Sequence, residues 1–389
     1  MKYTNLRMRR FVTVLIGIFL LGTGLLKLMD PVGTMLIVTE YCKFFHLTFL
    51  IPAAKVIGVN LALVESALGI ALITGVVRRF AAWVTYILLG FFTLVTLILW
   101  IKNPEMDCGC FGEALHLTHP QSFWKNVILL ALAVFAFTPM RHLGHASARK
   151  RLAALVGWAS LIVAVIYCNT HIPPIDFTAF APGAELLTSH DADSAPDGGY
   201  RAAFIYEKDG KEGSFSLDNL PDSSWRFVRV DSLRREQPGP GKERPLLSFR
   251  DAEGTYLDDE AANGKVVVFS VYEPAKAPWE ELEERCKAVR EGGGRPFLLT
   301  TLVPEGRILE EPAYIADYKT LITLNRSNGG ASYFDEGELI AKWSRAGFPK
   351  DIRSVLEADP IDISTHLTVE NRILAQSYCV ILGAVLILL

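Results

Sequence analysis

Six long apolar runs constrain this chain more than any other feature of its sequence. A helix needs roughly 20 apolar residues to cross the hydrocarbon core of a bilayer, and about 17 is the lower limit. Hydrophobic residues fill 50% of the 389 positions, which favours a membrane protein over a soluble one. The sequence therefore predicts a multi-pass membrane protein. The runs are 11–29, 47–75, 80–101, 123–140, 152–168 and 373–389.

The first apolar run follows a basic tail, as it would in a secretory signal peptide. The tail contains Lys2, Arg7, Arg9 and Arg10. However, residues 24–30 offer no small-x-small cleavage site, and further apolar runs follow. We therefore interpret the first run as an uncleaved transmembrane span.

Basic residues between the runs predict the orientation of the chain. The N-terminal tail, the arginines at 78–79 and the basic residues within 141–151 fall on one side if every run crosses. Because Lys and Arg accumulate on the cytoplasmic side, the loops at 30–46 and 102–122 and the region 169–372 are predicted to lie outside. We expect a bacterial inner-membrane protein with a cytoplasmic N-terminus and a periplasmic soluble domain.

One pair of cysteines has an informative spacing. Cys108 and Cys110 flank Gly109 in the loop predicted to face the oxidising outer side. A disulfide between them would close a small, strained and easily reduced ring, and Gly109 supplies the backbone freedom that closure needs. Asp107 opposes thiolate formation at its neighbour. The pair is our candidate catalytic site.

Other uses of these cysteines stay open. A static disulfide or a tight turn would fix the loop on the helices. His116 and His119 could complete a metal site with the pair, but one-residue cysteine spacing is not usual for structural zinc, so no metal is predicted. Cys42 and Cys168 are either exchange partners on the same side or ordinary buried thiols.

Glu65 lies in the middle of the second apolar run. A carboxyl group is costly inside a membrane and is a functional candidate by default. Pairing with Lys27 or Lys55 is the structural alternative. No cofactor is predicted, and a quinone partner for the bundle has no support in the sequence.

Residues 172–245 predict a β-rich region outside the membrane. Two strand-like segments at 203–206 and 213–217 flank a turn that contains Asp-Gly, which is typical of a hairpin. A further strand is expected at 225–230, and the Pro- and Gly-rich residues 236–242 indicate a linker.

Strands and a helix alternate over residues 246–360, which predicts an α/β sheet. The expected elements are a strand–turn–strand unit at 246–257, a buried strand at 266–271, a helix at 279–291, a strand at 296–302 and a hairpin at 331–343. Cys286 on the helix is expected to be a small buried hydrophobe.

The first 140 residues contain a set of motifs that together indicate a family. The set consists of Gly22, Lys27, Asp30, Pro31, Glu65, Gly69, Asp-Cys-Gly-Cys-Phe-Gly at 107–112 and Phe-Trp-Lys-Asn at 123–126. The set resembles the DoxX-like and MauE-like membrane family, which implies a four-helix transmembrane bundle. MauE-like members are linked to methylamine utilisation, and the resemblance implies support for the maturation of a disulfide-rich dehydrogenase. Vitamin K epoxide reductase has a comparable bundle but uses Cys-x-x-Cys, so quinone reduction is not implied.

Residues 246–343 resemble a thioredoxin-like domain of the TlpA type. The resemblance rests on Gly-Lys before the Val-rich strand and on the closing hairpin. Residues 272–279 stand where the redox Cys-x-x-Cys is expected, and 329–331 replace the expected proline. Without a thiolate there is no nucleophile for disulfide exchange, so a redox-inactive binding or spacer module is implied.

These inferences predict a four-helix DoxX/MauE-like bundle plus a thioredoxin-like domain between the fifth and a final transmembrane helix. The expected function is extracytoplasmic thiol–disulfide chemistry or protein maturation with an extracytoplasmic protein partner. A non-enzymatic assembly scaffold is the alternative, and a carrier or quinone partner using Glu65 is a third. A net charge of −3 gives no indication of nucleic-acid binding. The predicted units are 1–140, 141–171, 172–245, 246–360 and 361–389.

Overall fold

The computed structural model contains two regions, a helical bundle and a C-terminal mixed sheet. The linker predicted at 236–242 and the arginine at 141 lie outside the described residues. The residues that the structure describes are 2–104, 106–138, 146–187, 201–208, 211–215, 225–234, 244–251, 253–303 and 309–388.

Long helices dominate the first half of the chain and return at its end. Within the described residues, six of them (α1, α3 to α6 and α11) are long and apolar enough to cross a membrane, which confirms the predicted membrane protein. In chain order the helices are α1 (Lys2–Met29), α2 (Pro31–Phe44), α3 (Ala54–Thr74), α4 (Arg78–Lys102), α5 (His119–Phe137), α6 (Ala148–Thr170), α7 (Asp258–Ala261), α8 (Trp279–Glu291), α9 (Tyr318–Leu324), α10 (Ile352–Glu357) and α11 (Pro360–Leu388).

Strands occur mainly after the fifth membrane helix. In chain order they are β1 (Cys110–Glu113), β2 (Arg201–Lys208), β3 (Lys211–Phe215), β4 (Arg226–Arg234), β5 (Lys265–Val271), β6 (Arg295–Thr300), β7 (Ala313–Ile315), β8 (Gly330–Asp335) and β9 (Glu338–Trp343).

The loop predicted at 30–46 is instead the helix α2, so that prediction was wrong. Asp30 caps the helix by accepting a hydrogen bond from the backbone N–H of Gly33 at 2.8 Å. Pro31 occupies the first helical turn, where its missing N–H costs nothing. The helix has 14 residues, too short to cross a bilayer, and it is stabilised by packing across α3.

Small residues bring α1 and α3 into close contact. A Cβ atom added to Gly69 would lie 2.6 Å from the backbone nitrogen of Leu21, and one added to Gly24 would lie 2.3 Å from Oγ of Ser66. These glycines therefore act in packing, because small residues let two helices approach closely. The close approach places Lys27 of α1 opposite Glu65 of α3.

The C-terminal region is built on a five-stranded mixed sheet in the order β7-β6-β5-β8-β9. Strands β5, β6 and β7 are parallel, whereas β8 and β9 are antiparallel to their neighbours. Helix α8 packs on one face and α9 on the other. The predicted strand at 266–271, helix at 279–291 and hairpin at 331–343 are confirmed, and Cys286 is fully buried.

The unit at 246–257 does not form the two predicted strands. Its described residues, 246–251 and 253–257, make isolated bridges instead, between Arg250 and both Tyr256 and Ile315. Side chains satisfy its backbone locally, because Asp251 accepts from the N–H of Thr255 at 2.8 Å, and such local bonds compete with a sheet ladder. The predicted strand pairing within 203–215 is confirmed, because β2 and β3 are antiparallel. The turn at 209–210 and residues 216–217 lie outside the described residues. With β4 these strands form a separate sheet in the order β3-β2-β4.

Candidate active site

The loop with Cys108 and Cys110 is held between α4 and α5 and packs on α2. Gly109 has a φ of 58°, and a Cβ atom there would lie 2.4 Å from Cγ2 of Ile37. Both the backbone conformation and the space therefore require glycine. The hydroxyl of Tyr41 donates a hydrogen bond to the carbonyl oxygen of Cys108 at 2.8 Å. This bond holds the backbone of the loop in place at Cys108.

Cys108 forms a thiol–histidine pair. Its Sγ lies 3.0 Å from Nδ1 of His119, and Nε2 of the same ring lies 3.0 Å from the carbonyl oxygen of Pro104. A carbonyl oxygen can only accept, so Nε2 carries the proton of the neutral ring and Nδ1 accepts from the thiol. Nucleophile, base and orienting group thus stand in the order that thiol activation requires.

Burial controls the state of this nucleophile. Cys108 is 5% exposed, and burial raises the pKa of its thiol, with the negative charge of Asp107 acting in the same direction. The predicted effect of Asp107 is therefore present. Cys108 stays protonated at neutral pH and depends on His119 for activation. Cys110 is partly exposed, so the two thiols face different surroundings.

Glu65 is paired with Lys27, as one of the predicted alternatives had it. Nζ of Lys27 lies 2.8 and 2.9 Å from the two carboxylate oxygens, and the Glu65 side chain is 1% exposed. The ring of Phe92 covers the ammonium with its centroid 5.4 Å away. Buried charges of this kind persist only when they are paired.

A cavity of about 700 Å³ connects the ion pair with the thiols. Its walls are largely apolar, and its rim includes the exposed residues Val56, Val64 and Phe91 on α3 and α4. Cys168 is buried on α6 and lies outside this lining. The candidate residues that line the cavity are Lys27, Cys42, Glu65, Cys108 and Cys110.

The two histidines considered as metal ligands point to different partners. Nδ1 of His116 lies 3.1 Å from Asp107 on the exposed surface, whereas His119 is buried against Cys108. In the part of the chain that the structure describes, no group of three or more His, Cys, Asp and Glu side chains could hold a metal ion. All six cysteines are free thiols.

The sheet region contacts the helical bundle next to this loop. Nη2 of Arg326 lies 2.9 Å from Asp30 and 3.4 Å from Glu113, and the guanidinium is 4% exposed. The hydroxyl of Tyr272 donates to the carbonyl oxygen of Arg326 at 3.0 Å. The segment 272–279, which follows the central strand β5, is therefore near the thiol loop.

Sequence reasoning missed three contributors to the site. His119 was considered only as a metal ligand, and Tyr41 and Arg326 were not considered at all. The eleven-residue separation of Cys108 and His119 carries no known pattern. Only the start of α5 at His119, directly after the cysteine loop, could have suggested their proximity.

Comparison with known families covers two parts of the chain. Residues 7–139 match the family model of methylamine utilisation protein MauE, and residues 200–236 match a domain of unknown function (DUF8463). No curated protein and no solved structure matches the chain. The predicted MauE resemblance is therefore confirmed for the helical region.

Proposed function

We propose that this protein, whose membrane domain is MauE-like, carries out thiol–disulfide exchange through Cys108 and Cys110 and thereby supports the maturation of an extracytoplasmic protein. The observation that carries the proposal is the contact between Cys108 and His119, with Pro104 orienting the ring. A structural turn needs no base at its sulfur, whereas a thiol whose pKa is raised by burial does.

The unequal exposure of the two thiols suggests separate roles. In the oxidised protein, a thiolate of the partner attacks Sγ of the more exposed Cys110. Cys108 leaves as a thiolate and takes up a proton from the solvent, which restores the thiol that donates to Nδ1 of His119. A second partner thiol then attacks the partner sulfur of the mixed disulfide and releases Cys110. Two partner thiols become a disulfide, and the Cys108–Cys110 disulfide becomes two thiols.

The sheet region is proposed to be a thioredoxin-like module that recruits the partner. Support comes from the strand order, in which β5 and β6 are parallel and β8 and β9 close the sheet in antiparallel fashion. It lacks cysteines at 272–279, so it binds without exchanging electrons. Its contact through Arg326 would hold a bound partner next to Cys110.

The proposed orientation places this region and the thiol loop outside the cytoplasm. Support comes from basic residues at the opposite ends of the helices. Arg10 donates hydrogen bonds to the carbonyl oxygens of Leu72 and Ile73 at the end of α3, and Arg78 begins α4 beside it. Basic residues accumulate on the cytoplasmic side.

Trapping tests the proposal. In Cys108→Ser, no neighbouring thiol can displace a partner from Cys110 and close the Cys108–Cys110 disulfide again. Mixed disulfides between Cys110 and extracytoplasmic proteins should therefore accumulate, seen on non-reducing gels. The Cys108→Ser/Cys110→Ser double variant is the matched control and should form none. Equal adducts in both variants, or none in Cys108→Ser at normal expression, would contradict the proposal.

A scaffold without redox activity is the second candidate. The absence of cysteines at 272–279 and the buried contact of Arg326 with the bundle favour it. On this alternative the Cys108→Ser/Cys110→Ser double variant keeps full biological function, whereas Arg326→Met loses it. The exchange proposal expects the double variant to be inactive.

A further inference from the structure

The cavity beside Cys108 is built for a ligand that arrives from the lipid. Its lining is dominated by Leu, Val, Ile and Phe side chains, and its rim carries exposed apolar residues on α3 and α4, where Val64 is 42% and Phe91 55% exposed. Those faces meet hydrocarbon in a bilayer. A volume of about 700 Å³ lies within the range of roughly 300–1,000 Å³ typical of small-molecule sites.

Polar groups in the lining select a ligand with hydrogen-bond acceptors. The ammonium of Lys27 has three N–H donors, and the two oxygens of Glu65 do not exhaust them. The amide of Asn126, which donates to Thr96 at 3.2 Å, is a second polar group of the lining. A plain acyl chain would leave these groups without a function.

Reoxidation of the two thiols requires an electron acceptor. Each exchange with a partner leaves Cys108 and Cys110 reduced, and forming their disulfide again removes two electrons and two protons. An acceptor bound in the cavity would lie against both thiols, because Cys108 and Cys110 line it. The apolar rim admits such an acceptor from the lipid, and a quinone is a two-electron oxidant that dissolves in lipid and carries hydrogen-bond acceptors.

We infer that the cavity binds a membrane quinone, which reoxidises the Cys108–Cys110 pair; this inference rests on the proposed exchange function. His119 takes the proton of Cys108, the two sulfurs form a bond, and both thiol protons leave. The quinone gains two electrons and two protons and departs as the quinol. Lys27 donates a hydrogen bond to a quinone carbonyl oxygen and stabilises the charge that develops there.

Two adjacent residues of α4 provide a matched test. Val95 lines the cavity, whereas Leu94 is 57% exposed and does not line it. The full chain in lipid nanodiscs is labelled with a photoreactive azido-quinone, with decylubiquinone as competitor. The inference expects saturable labelling of cavity residues. Val95→Trp should lower the affinity by about tenfold or more, a change of about 1.4 kcal/mol, whereas Leu94→Trp should not.

Cysteine oxidation supplies an independent readout. In the reduced wild-type protein, decylubiquinone should yield one quinol for each Cys108–Cys110 pair oxidised, whereas the Cys108→Ser/Cys110→Ser double variant should bind the azido-quinone and yield none.

Three outcomes would overturn the inference: labelling that does not saturate, an equal loss in both tryptophan variants, or bound quinone that leaves the thiols reduced. Labelling would not saturate if a lipid acyl chain occupied the cavity and decylubiquinone did not displace it. Trapping of partners by Cys108→Ser uses no quinone, so failure of the quinone site and failure of the exchange function are distinguishable.

Discussion

Arg326 of the sheet region and Asp30 of the helical bundle form a buried ion pair across a sequence separation of 296 residues. Nε donates to Oδ2 at 3.0 Å and Nη2 lies 2.9 Å from the same oxygen. The guanidinium is 4% exposed and the Asp30 side chain 14%. A pair buried to this degree holds its two elements in one arrangement, because separating them leaves unpaired charges.

Arg326→Met should therefore loosen the sheet region from the thiol loop. Losing one member of a buried pair costs roughly 3–5 kcal/mol. Hydrogen exchange should increase in residues 106–116 and in the segment 272–279 that follows β5, while the sheet core stays protected. Arg295→Met is the control, because its pair with Glu260 is about half exposed and is worth roughly 0–1 kcal/mol. Equal exchange in both variants would contradict this role.

His119 should control the reactivity of Cys108 with pH. Burial raises the pKa of this thiol, so its thiolate is scarce at neutral pH and becomes more abundant as the pH increases. Removing the base in His119→Ala should lower the alkylation rate of Cys108 at pH 7 by about a hundredfold. The deficit should shrink towards high pH, where hydroxide replaces the base.

The rates are measured by mass spectrometry of alkylated Cys108 peptides across a pH series. His116→Ala is the matched control, since this histidine contacts exposed Asp107 rather than the thiol. A similar loss in both variants, or a pH-independent loss in His119→Ala, would indicate that His119 only supports the loop.

Those parts of the fold that follow a local pattern could be predicted from the sequence. The long apolar helices, the Val-rich strand β5 and the helix at 279–291 each carry their own periodicity or length. Helix α2 was missed because its apolar run is too short for a span. The segment 246–257 failed for another reason: its strand-like composition is overridden by side chains such as Asp251 that bond the local backbone.

The site was predictable only as far as it is local in sequence. Cys108 and Cys110 could be identified as candidates from their spacing, and Glu65 from its position within an apolar run. The geometry that gives them chemistry comes from packing. Arg326 and Glu113 are separated by 213 residues in the sequence, and no local residue pattern predicts a contact over such a separation.

Asp176 and Lys342 should make the stability of the sheet region depend on pH. Nζ of Lys342 lies 2.6 Å from Oδ2 of Asp176. Burial alone would raise the pKa of Asp176, but Lys342 and the N–H of Thr178 outweigh it and lower the pKa. A lowered pKa contributes stability above the unfolded value of about 3.9, and this contribution is lost as the pH falls through the folded pKa.

Lys342→Met should reverse this dependence. It leaves Asp176 buried without its cation, which raises the carboxyl pKa and costs roughly 3–5 kcal/mol near neutral pH. Acidification should then recover stability in the variant, because the protonated carboxyl tolerates burial. Unfolding by urea between neutral and mildly acidic pH measures the effect. Lys350→Met, at an exposed position, is the control and should show the pH dependence of the wild type. If Lys342→Met also showed the wild-type pH dependence, the pairing would be contradicted.

Variants of Lys27 and Glu65 should show whether this ion pair has a structural or a functional role. Glu65→Gln or Lys27→Met alone leaves a buried group unpaired and should cost roughly 3–5 kcal/mol, which lowers the thermal stability of the purified protein. Lys27→Met/Glu65→Gln removes both charges and should recover most of that loss, since a buried pair adds little over neutral side chains. Lys102→Met, at the exposed end of α4, is the control.

The double variant then decides what the pair is for. If the pair only stabilises the bundle, Lys27→Met/Glu65→Gln should oxidise Cys108 and Cys110 with decylubiquinone as fast as the wild type does. If Lys27 binds the quinone carbonyl, the same stable variant should oxidise them at least about tenfold more slowly, the loss of one charge-assisted hydrogen bond. We expect the slower rate, because the cavity lining places this buried pair against the site where the ligand would lie.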